Sequence, residues 1–199
     1  MGEVHELQQD LVRSHAVGVG PALGRDVVRG AVAIRLNTMA KGFSRGRLEV
    51  AGHLATVLNA DLVPYVPSRG SLGASCELAP SAHLVLAMMG KGELLGADGW
   101  REPAGAALRA AGLVPLSLEA KEGMSLPNGA QFMAAIGCLA VADGETLLDT
   151  ANLIGATSLR ACAPRRPRSR SASSSCAPSP VSCAKRRTCG PPPRAAASC

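Results

Sequence analysis

The amino-acid composition changes abruptly near residue 160, and this change limits the part of the chain that can fold. Residues 161–199 contain no Leu, Ile, Met, Phe, Tyr or Trp and consist almost entirely of Ala, Ser, Pro, Arg, Lys and Cys. Such a segment cannot bury enough apolar surface to offset the chain entropy lost on folding. We therefore predict a folded body over residues 1–160 and a disordered basic tail over residues 161–199.

The positive charge of the chain also lies in this tail. Eight of the 21 Lys and Arg residues fall within residues 161–199, whereas all 15 Asp and Glu residues precede residue 161. The body therefore carries 13 basic residues against the 15 acidic ones. The sequence pI of about 9.2 thus gives no information about the partners of the body.

Three interpretations of the tail are open: a basic arm that binds nucleic acid, a plain flexible tail, and a segment translated out of frame. Five of the seven cysteines lie in it, without CxxC spacing and without a neighbouring His, so a metal site is not indicated. We favour translation out of frame, because the helical pattern stops in mid-element near Arg160. A nucleic-acid partner is accordingly not expected.

The body is predicted to be mainly α-helical. Apolar residues recur at helical spacing over residues 3–16, 27–37, 48–59, 80–89, 103–111, 128–142 and 144–159. Residues 60–79 are predicted to be irregular, residues 91–100 suggest a short extended or hairpin element, and Pro80 is expected to open its helix. The helices are rich in Ala, Gly, Leu and Val, and their apolar faces are large for a chain of this size. We therefore expect burial against further subunits.

The N-terminal sequence and the cysteine usage favour a cytoplasmic protein. Residues 1–15 are polar and contain no apolar core of a signal peptide. The longest nearly apolar stretch, residues 132–142, is too short to span a bilayer. The body contains only Cys76 and Cys138, which is typical of a reducing compartment.

One stretch, GSLGASCELAPSAH at residues 70–83, is unusually dense in small residues. It resembles the signature GSxGASGDLAPxAH of the histidine and aromatic amino acid ammonia-lyase family. Three further blocks match that family in the same order: LQQDLVRSHAVGVG at residues 7–20, AIRLNTMAKGFS at residues 33–44 and KEGMSLPNGAQ at residues 121–131. The resemblance covers residues 3 to about 160 and implies part of the fumarase/aspartase-like helical bundle.

The resemblance implies that Ala74, Ser75 and Cys76 form a methylidene-imidazolone (MIO) group without a metal or an external cofactor. The amide nitrogen of Cys76 would attack the carbonyl carbon of Ala74 with loss of water, and Ser75 would then lose its hydroxyl group as a second water. Small residues let the backbone fold back on itself, and a helix N-terminus near the ring stabilises negative charge. The group is an electrophile for elimination of ammonia from an amino acid.

The resemblance also assigns further site residues. His15 corresponds to an active-site histidine that binds the substrate, and Ser14 with His15 resembles the pair in histidine-specific lyases and in some tyrosine aminomutases. Asn128 corresponds to an asparagine near the ring and the substrate carboxylate, and Gln131 is a further substrate-binding candidate. L-histidine converted to urocanate, in histidine catabolism, is the expected reaction. A tyrosine or phenylalanine lyase or aminomutase is the alternative.

Two residues of the signature differ from the family pattern. Cys76 stands where the family has glycine, so a Cβ crowds the cyclising nitrogen, and Glu77 stands where the family has aspartate. The family's general-base tyrosine would lie upstream of residue 1, and its carboxylate-binding arginine beyond residue 160. We therefore expect a fragment of a homotetrameric enzyme with impaired activity. A non-catalytic remnant that only packs with lyase subunits is the alternative from another class.

Overall fold

The computed structural model describes residues 2–162 except residues 43, 45, 73–76 and 97. The described part is mostly helical, with four short strands, and confirms the mainly-α prediction. In chain order its elements are α1 (Gly2–His15), β1 (Val19–Ala22), α2 (Arg25–Ala40), α3 (Leu48–Asn59), β2 (Pro67–Arg69), α4 (Leu78–Met88), β3 (Glu93–Leu95), β4 (Arg101–Pro103), α5 (Ala104–Ala110), α6 (Glu122–Ser125) and α7 (Gln131–Cys162).

Most predicted elements are present with shifted ends. Helices α1, α2, α3 and α5 confirm four of the predicted helices. The hairpin formed by β3 and β4 confirms the short element predicted over residues 91–100. Helix α4 begins at Leu78, so the prediction that Pro80 opens it was wrong by two residues. Pro80 lies in the first helical turn, where its missing N–H leaves no helical hydrogen bond unmade.

The C-terminal helical region differs most from the prediction. Instead of two helices, the structure has the single helix α7, which is 32 residues long and therefore extends about 48 Å. The predicted break falls at Asp143, immediately before Gly144. A helical glycine costs only about 1 kcal/mol relative to alanine, and no proline interrupts residues 131–162, so the helix continues through both.

Two antiparallel ribbons connect the helices. Strand β1 pairs with β2 in a register that aligns Val19 with Arg69, a pairing that the sequence did not predict. Strands β3 and β4 pair from Glu93 opposite Pro103 to Leu95 opposite Arg101. The first ribbon leads the chain away from the end of α1 and back toward the start of α4, so these two helix ends are near each other in the fold.

The hydrophobic core lies between α1, α2, α3, α4 and the start of α7. Helix α2 packs on α3, and α1 packs on α4. The fully or nearly fully buried side chains include one from each of these helices: Val12, Val28, Leu54, Met88 and Phe132. The core thus packs α4 and the start of α7 against the same set of helices.

The chain divides into two compact units, Met1–Ile154 and Gly155–Cys199. Only residues 155–162 of the second unit are described, and they form the last turns of α7. The predicted disordered tail, apart from its first two residues, lies outside the described residues. The boundary after residue 160 therefore stays a prediction.

Helix α7 is long and apolar enough to cross a membrane when judged by length and composition alone. The sequence-based argument against a membrane span considered only residues 132–142, whereas the helix includes twenty further residues on its C-terminal side. Core helices of soluble proteins meet the same two criteria. Length and composition therefore do not decide between a bilayer and a protein partner for this helix.

Candidate active site

The three residues predicted to form the ring, Ala74, Ser75 and Cys76, lie outside the described residues. The structure describes Leu72, which is exposed, and Glu77, which is buried. Glu77 directly follows the tripeptide and is the residue before the first turn of α4. The contacts of Glu77 therefore show what the C-terminal end of the tripeptide is attached to.

The carboxylate of Glu77 holds the N-terminus of α7. It accepts hydrogen bonds from the backbone N–H of Phe132, at 2.6 Å, and from that of Met133. These N–H groups lie in the first helical turn and have no partner within the helix, and a carboxylate at this end also interacts favourably with the helix dipole. The side chain of Glu77, which is longer than the aspartate of the family pattern, thus reaches α7 from the start of α4.

A second bond links the same two segments through the backbone. The N–H of Glu77 donates to the carbonyl oxygen of Gly129 at 3.4 Å. Gly129 has a φ of 148°, and a Cβ at this position would lie 2.3 Å from Oε1 of Gln131 and 3.3 Å from Nη1 of Arg35. Only glycine therefore fits this position, and the segment before α7 closely approaches both neighbours.

Asn128 is exposed, and its backbone is held by a buried arginine. Nη1 of Arg35 in α2 donates to the carbonyl oxygen of Asn128 at 3.0 Å, and Nη2 donates to the carbonyl oxygen of Ser125. Arg35 is only 6% exposed. Burial lowers the pKa of its guanidinium below the usual value, because the charged form is poorly solvated there.

Gln131, at the first position of α7, is buried and engaged with α4. Its Nε2 donates to Oγ of Ser81 at 2.5 Å, and Ser81 is itself buried in the first turns of α4. This contact adds a third link between the starts of α4 and α7. The substrate-binding role predicted for Gln131 stays a prediction.

Ser14 and His15 form the C-terminal end of α1. Nδ1 of His15 donates to the carbonyl oxygen of Leu11 at 2.7 Å, and Oγ of Ser14 donates to the same oxygen at 2.8 Å. Oγ of Ser14 lies 3.3 Å from Nδ1 of His15. With Nδ1 acting as a donor, the neutral imidazole keeps Nε2 as its acceptor.

The turn that follows His15 is fastened to α4 by a second histidine. The backbone N–H of Gly18 donates to Nε2 of His83 at 3.1 Å. His83 is half-buried, and burial lowers the pKa of its imidazole. Both observations favour the neutral ring with its proton on Nδ1, so His83 serves as a structural acceptor.

An ion-pair cluster holds the segment that precedes Asn128. Glu122, which is 2% exposed, accepts two hydrogen bonds from the guanidinium of Arg47, at 2.9 and 3.0 Å, and one from the N–H of Glu119 at 2.8 Å. Burial by itself would raise the pKa of Glu122 most strongly. Together, the hydrogen bonds to Glu122 and the charge of Arg47 have a larger effect than burial, so the pKa of Glu122 is lowered.

The structure thus brings together some of the predicted site residues. One bonded junction contains Glu77, Asn128, Gly129 and Gln131. Ser14 and His15 form a separate pair, which is linked to α4 through the turn at Gly18. Within the described residues, no group of three or more His, Cys, Asp or Glu side chains could hold a metal ion.

Sequence reasoning assigned no role to Arg35 or Ser81. The signal for Arg35 was present in the helical periodicity: positions 28, 31, 32, 35 and 39 form the buried face of α2, and Arg35 is the charged member of that apolar set. A charge on a buried helical face requires hydrogen-bonding partners. Ser81 gave no such signal, because buried serines are common in helices that pack closely.

A cleft of about 480 Å³ lies beside the first ribbon, and its lining includes His83, Lys91 and Tyr65. Tyr65, the only tyrosine of the sequence, accepts a hydrogen bond from Arg101 at 2.7 Å and donates one to the carbonyl oxygen of Gly20 at 3.1 Å. The guanidinium of Arg101 also stacks 3.7 Å from the centre of the Tyr65 ring. These contacts engage the phenol in the packing of the cleft.

The sequence and the fold are similar to those of known proteins of one class. A family profile described as aromatic amino acid lyase matches residues 2–181. Histidine ammonia-lyase of Sorangium cellulosum (strain So ce56) is 46% identical over 159 residues, which are 80% of this chain and 31% of that relative. The protein belongs to the aromatic amino acid lyase family.

Solved structures of this class superpose on the described fold. Histidine ammonia-lyase from Trypanosoma cruzi gives a TM-score of 0.67 at 40% identity, with 71% of this chain and 28% of that chain covered. Tyrosine aminomutase from Streptomyces globisporus gives a TM-score of 0.66 at 42% identity, with 71% and 26% covered. The chain thus spans about a third of the length of the curated relatives it matches.

Proposed function

We propose that this chain contributes to the elimination of ammonia from L-histidine to give urocanate. The observation that carries the proposal is the bonded junction around Glu77, which joins the residue after the ring-forming tripeptide to Asn128 through Gly129 and to the start of α7. The curated relatives that match at 43–48% identity are named histidine ammonia-lyase. Since the chain spans about a third of them, activity of the isolated chain is expected to be impaired.

The proposed electrophile is a methylidene-imidazolone formed from Ala74, Ser75 and Cys76. When formed, the group supplies an electrophilic carbon to which the substrate can be attached. The residues next to it fit such a group, because Glu77 is buried and bonded through both its backbone N–H and its carboxylate.

The described side chains have separate roles in this proposal. His15, with Nε2 as its acceptor, and Ser14 bind the polar side chain of the substrate, and the exposed Asn128 binds its carboxylate. Gln131 is a further substrate-binding candidate in the proposal, although its amide nitrogen contacts Ser81. The resemblance places the proton-removing tyrosine and the carboxylate-binding arginine in parts of the family sequence that do not match this chain.

A tyrosine-specific reaction is the second candidate. Tyrosine aminomutase from Streptomyces globisporus, at 42% identity, is as similar to this chain as the histidine enzyme from Trypanosoma cruzi. The pair Ser14 and His15 is compatible with either substrate. We favour histidine because the curated relatives carry that name.

We further propose that α7 is buried against other copies of the chain in a homotetramer. Its exposed apolar side chains form an extended uncovered surface that includes Met133, Ile136, Val141, Leu147 and Ile154. A bilayer is a less favourable environment for this helix, since Asp143, Glu145 and Asp149 lie in its central part, where charges cost most in a membrane. This assembly, a cytoplasmic location and a separate tail after residue 160 are parts of the same proposal.

The proposal is tested by incubating the purified chain with L-histidine, L-tyrosine and L-phenylalanine and recording the ultraviolet absorbance of the conjugated acid. We expect product from histidine only, and a loss of about two orders of magnitude in rate for Asn128→Ala, as for other groups that position a substrate. His5→Gln is the matched control, because His5 bonds to the carbonyl oxygen of Leu118, outside the junction. Product from tyrosine instead of histidine, or no product from any of the three, would contradict the proposal.

A further inference from the structure

We propose that Arg35 is a positioning residue for Asn128. The inference deepens the proposed function and depends on it for the role of Asn128 in binding the substrate carboxylate. Arg35 lies on the buried face of α2, whereas Asn128 lies in the turn between α6 and α7. The guanidinium of Arg35 connects these two parts of the fold.

The contact uses the planar shape of the guanidinium. Two different nitrogens donate to two different carbonyl oxygens, Nη1 to Asn128 at 3.0 Å and Nη2 to Ser125. These two oxygens lie three residues apart in the turn, so one side chain fixes both ends of the segment that presents Asn128. A single ammonium group does not provide this rigid two-pronged arrangement.

The charge of Arg35 has no described counter-ion, which argues against a purely stabilising role. Among the described residues, no carboxylate lies within 4.0 Å of its guanidinium, and its Nε is buried without a hydrogen-bond partner. A buried charge that is compensated only by neutral carbonyl groups is costly, and an apolar side chain would fill the same core position at lower cost. The benefit of the arginine therefore lies in the backbone geometry that it imposes.

The imposed geometry extends to Glu77 at the start of α4. Gly129 directly follows Asn128, and its carbonyl oxygen accepts the N–H of Glu77, the residue that follows Cys76. Arg35 on one side and Glu77 on the other thus hold consecutive residues of the same turn. Arg35 thus sets the position of Asn128 relative to Glu77 without touching the substrate.

Hydrogen–deuterium exchange of the full 199-residue chain tests this inference without relying on activity. In Arg35→Ala, the amides of Glu77, Asn128, Phe132 and Met133 should exchange about tenfold faster or more, since hydrogen bonds to a charged donor are lost. Arg35→Lys should give an intermediate effect. Arg25→Ala is the matched control, because Arg25 lies on the same helix and donates to Leu95 and Asp61, away from the turn.

Chemical rescue separates positioning from general stability. Methylguanidinium at millimolar concentration should restore slow exchange at residues 125–133 in Arg35→Ala, whereas methylammonium should not, because only the former presents two parallel donors. Restoration by both cations alike would overturn the inference. Unchanged exchange at these amides in Arg35→Ala, or the same increase in Arg25→Ala, would overturn it as well.

Kinetics add a readout that depends on the proposed function. With L-histidine as substrate, Arg35→Lys should raise KM about tenfold and change kcat less, because the carboxylate is bound alike in the ground state and the transition state. A fall in kcat at constant KM would overturn the inference. Absence of turnover in the unsubstituted chain would count against the proposed function, and the exchange experiment would still decide the role of Arg35.

Discussion

The carboxylate of Glu77 lies 2.6 Å from the backbone nitrogen of Phe132 and accepts its hydrogen bond. Through this contact the residue that follows the tripeptide Ala74–Ser75–Cys76 becomes the cap of a helix 54 residues further along the chain. Capping residues usually precede their own helix, and here the cap comes from the start of another one. Folding of α7 and positioning of Glu77 at the start of α4 are therefore coupled.

We expect Glu77→Ala to lower the free energy of unfolding by about 1–3 kcal/mol, because two N–H groups in the first turn of α7, one of them buried, lose their acceptor. Urea unfolding followed by circular dichroism measures this change. Glu49→Ala is the matched control, since Glu49 is an exposed carboxylate in the first turn of α3. Equal stability of the two variants would show that the Glu77 cap contributes nothing.

Stability should fall at low pH through Glu122. Its pKa is lowered in the folded chain, so the unfolded chain takes up a proton first as the pH falls. The stabilising contribution is full above the ordinary glutamate pKa and is lost as the pH decreases through the folded pKa. Urea unfolding at a series of pH values should therefore show a loss below about pH 4.5, and this loss should be smaller in Glu122→Gln.

Glu122→Gln itself should cost about 1.5–3 kcal/mol at neutral pH, the range for hydrogen bonds to charged groups. Glu119→Gln serves as the control, because Glu119 also contacts Arg47 but is exposed. A pH profile that is identical in the unsubstituted chain and in Glu122→Gln would contradict the assigned role of this carboxylate.

His83, which fastens the turn after His15, should titrate below the ordinary histidine range. Burial lowers the pKa of His83, so its contribution to stability is complete above pH 6.5 and decreases as the pH falls through the folded pKa. Burial also lowers the pKa of His53, so its contribution to stability should likewise decrease as the pH falls. NMR titration of the imidazole protons measures both values directly.

Protonation of His83 removes the acceptor for the N–H of Gly18. The amide of Gly18 should therefore exchange faster as the pH is lowered, after correction for intrinsic exchange rates, while the amides of α2, which contains no histidine, should not change with it. A His83 pKa at or above 6.5 would contradict the neutral acceptor that the structure shows.

The uncovered apolar surface of α7 should mediate assembly. Leu147 is 71% exposed, and Leu147→Glu is expected to shift the sedimentation coefficient to that of a monomer without reducing helical content. Ala142→Glu is the matched control, because it introduces the same charge at an exposed position about 140° around the helix from Leu147. Monomeric behaviour of the unsubstituted chain, or equal dissociation by both variants, would contradict the proposed assembly.

The sequence predicted the helices well where apolar residues recur regularly between strong turn signals, as in α1, α2 and α3. It failed at Gly144, because a glycine weakens a helix by an amount that neighbouring turns readily absorb. It also missed the pairing of β1 with β2, since neither short strand shows an apolar alternation that would mark it.

For the site, the order of the motifs predicted candidate residues but not the contacts that join them. The bonds from Glu77 to Phe132 and from Arg35 to Asn128 connect residues that are 55 and 93 positions apart. No periodicity relates positions at such separations, so only the packed structure could show them. For these contacts the sequence pattern gave one signal, which was the position of the charged Arg35 on the apolar face of α2.

The central claim is that Ala74, Ser75 and Cys76 close into an electrophilic ring. Intact-mass measurement of the purified chain tests it most directly, with Ser75→Ala as the control that lacks the leaving hydroxyl group. We predict that the unsubstituted chain weighs two water molecules less than its sequence requires, and that Cys76→Gly raises the modified fraction. A chain that retains its full sequence mass, like Ser75→Ala, would contradict the account.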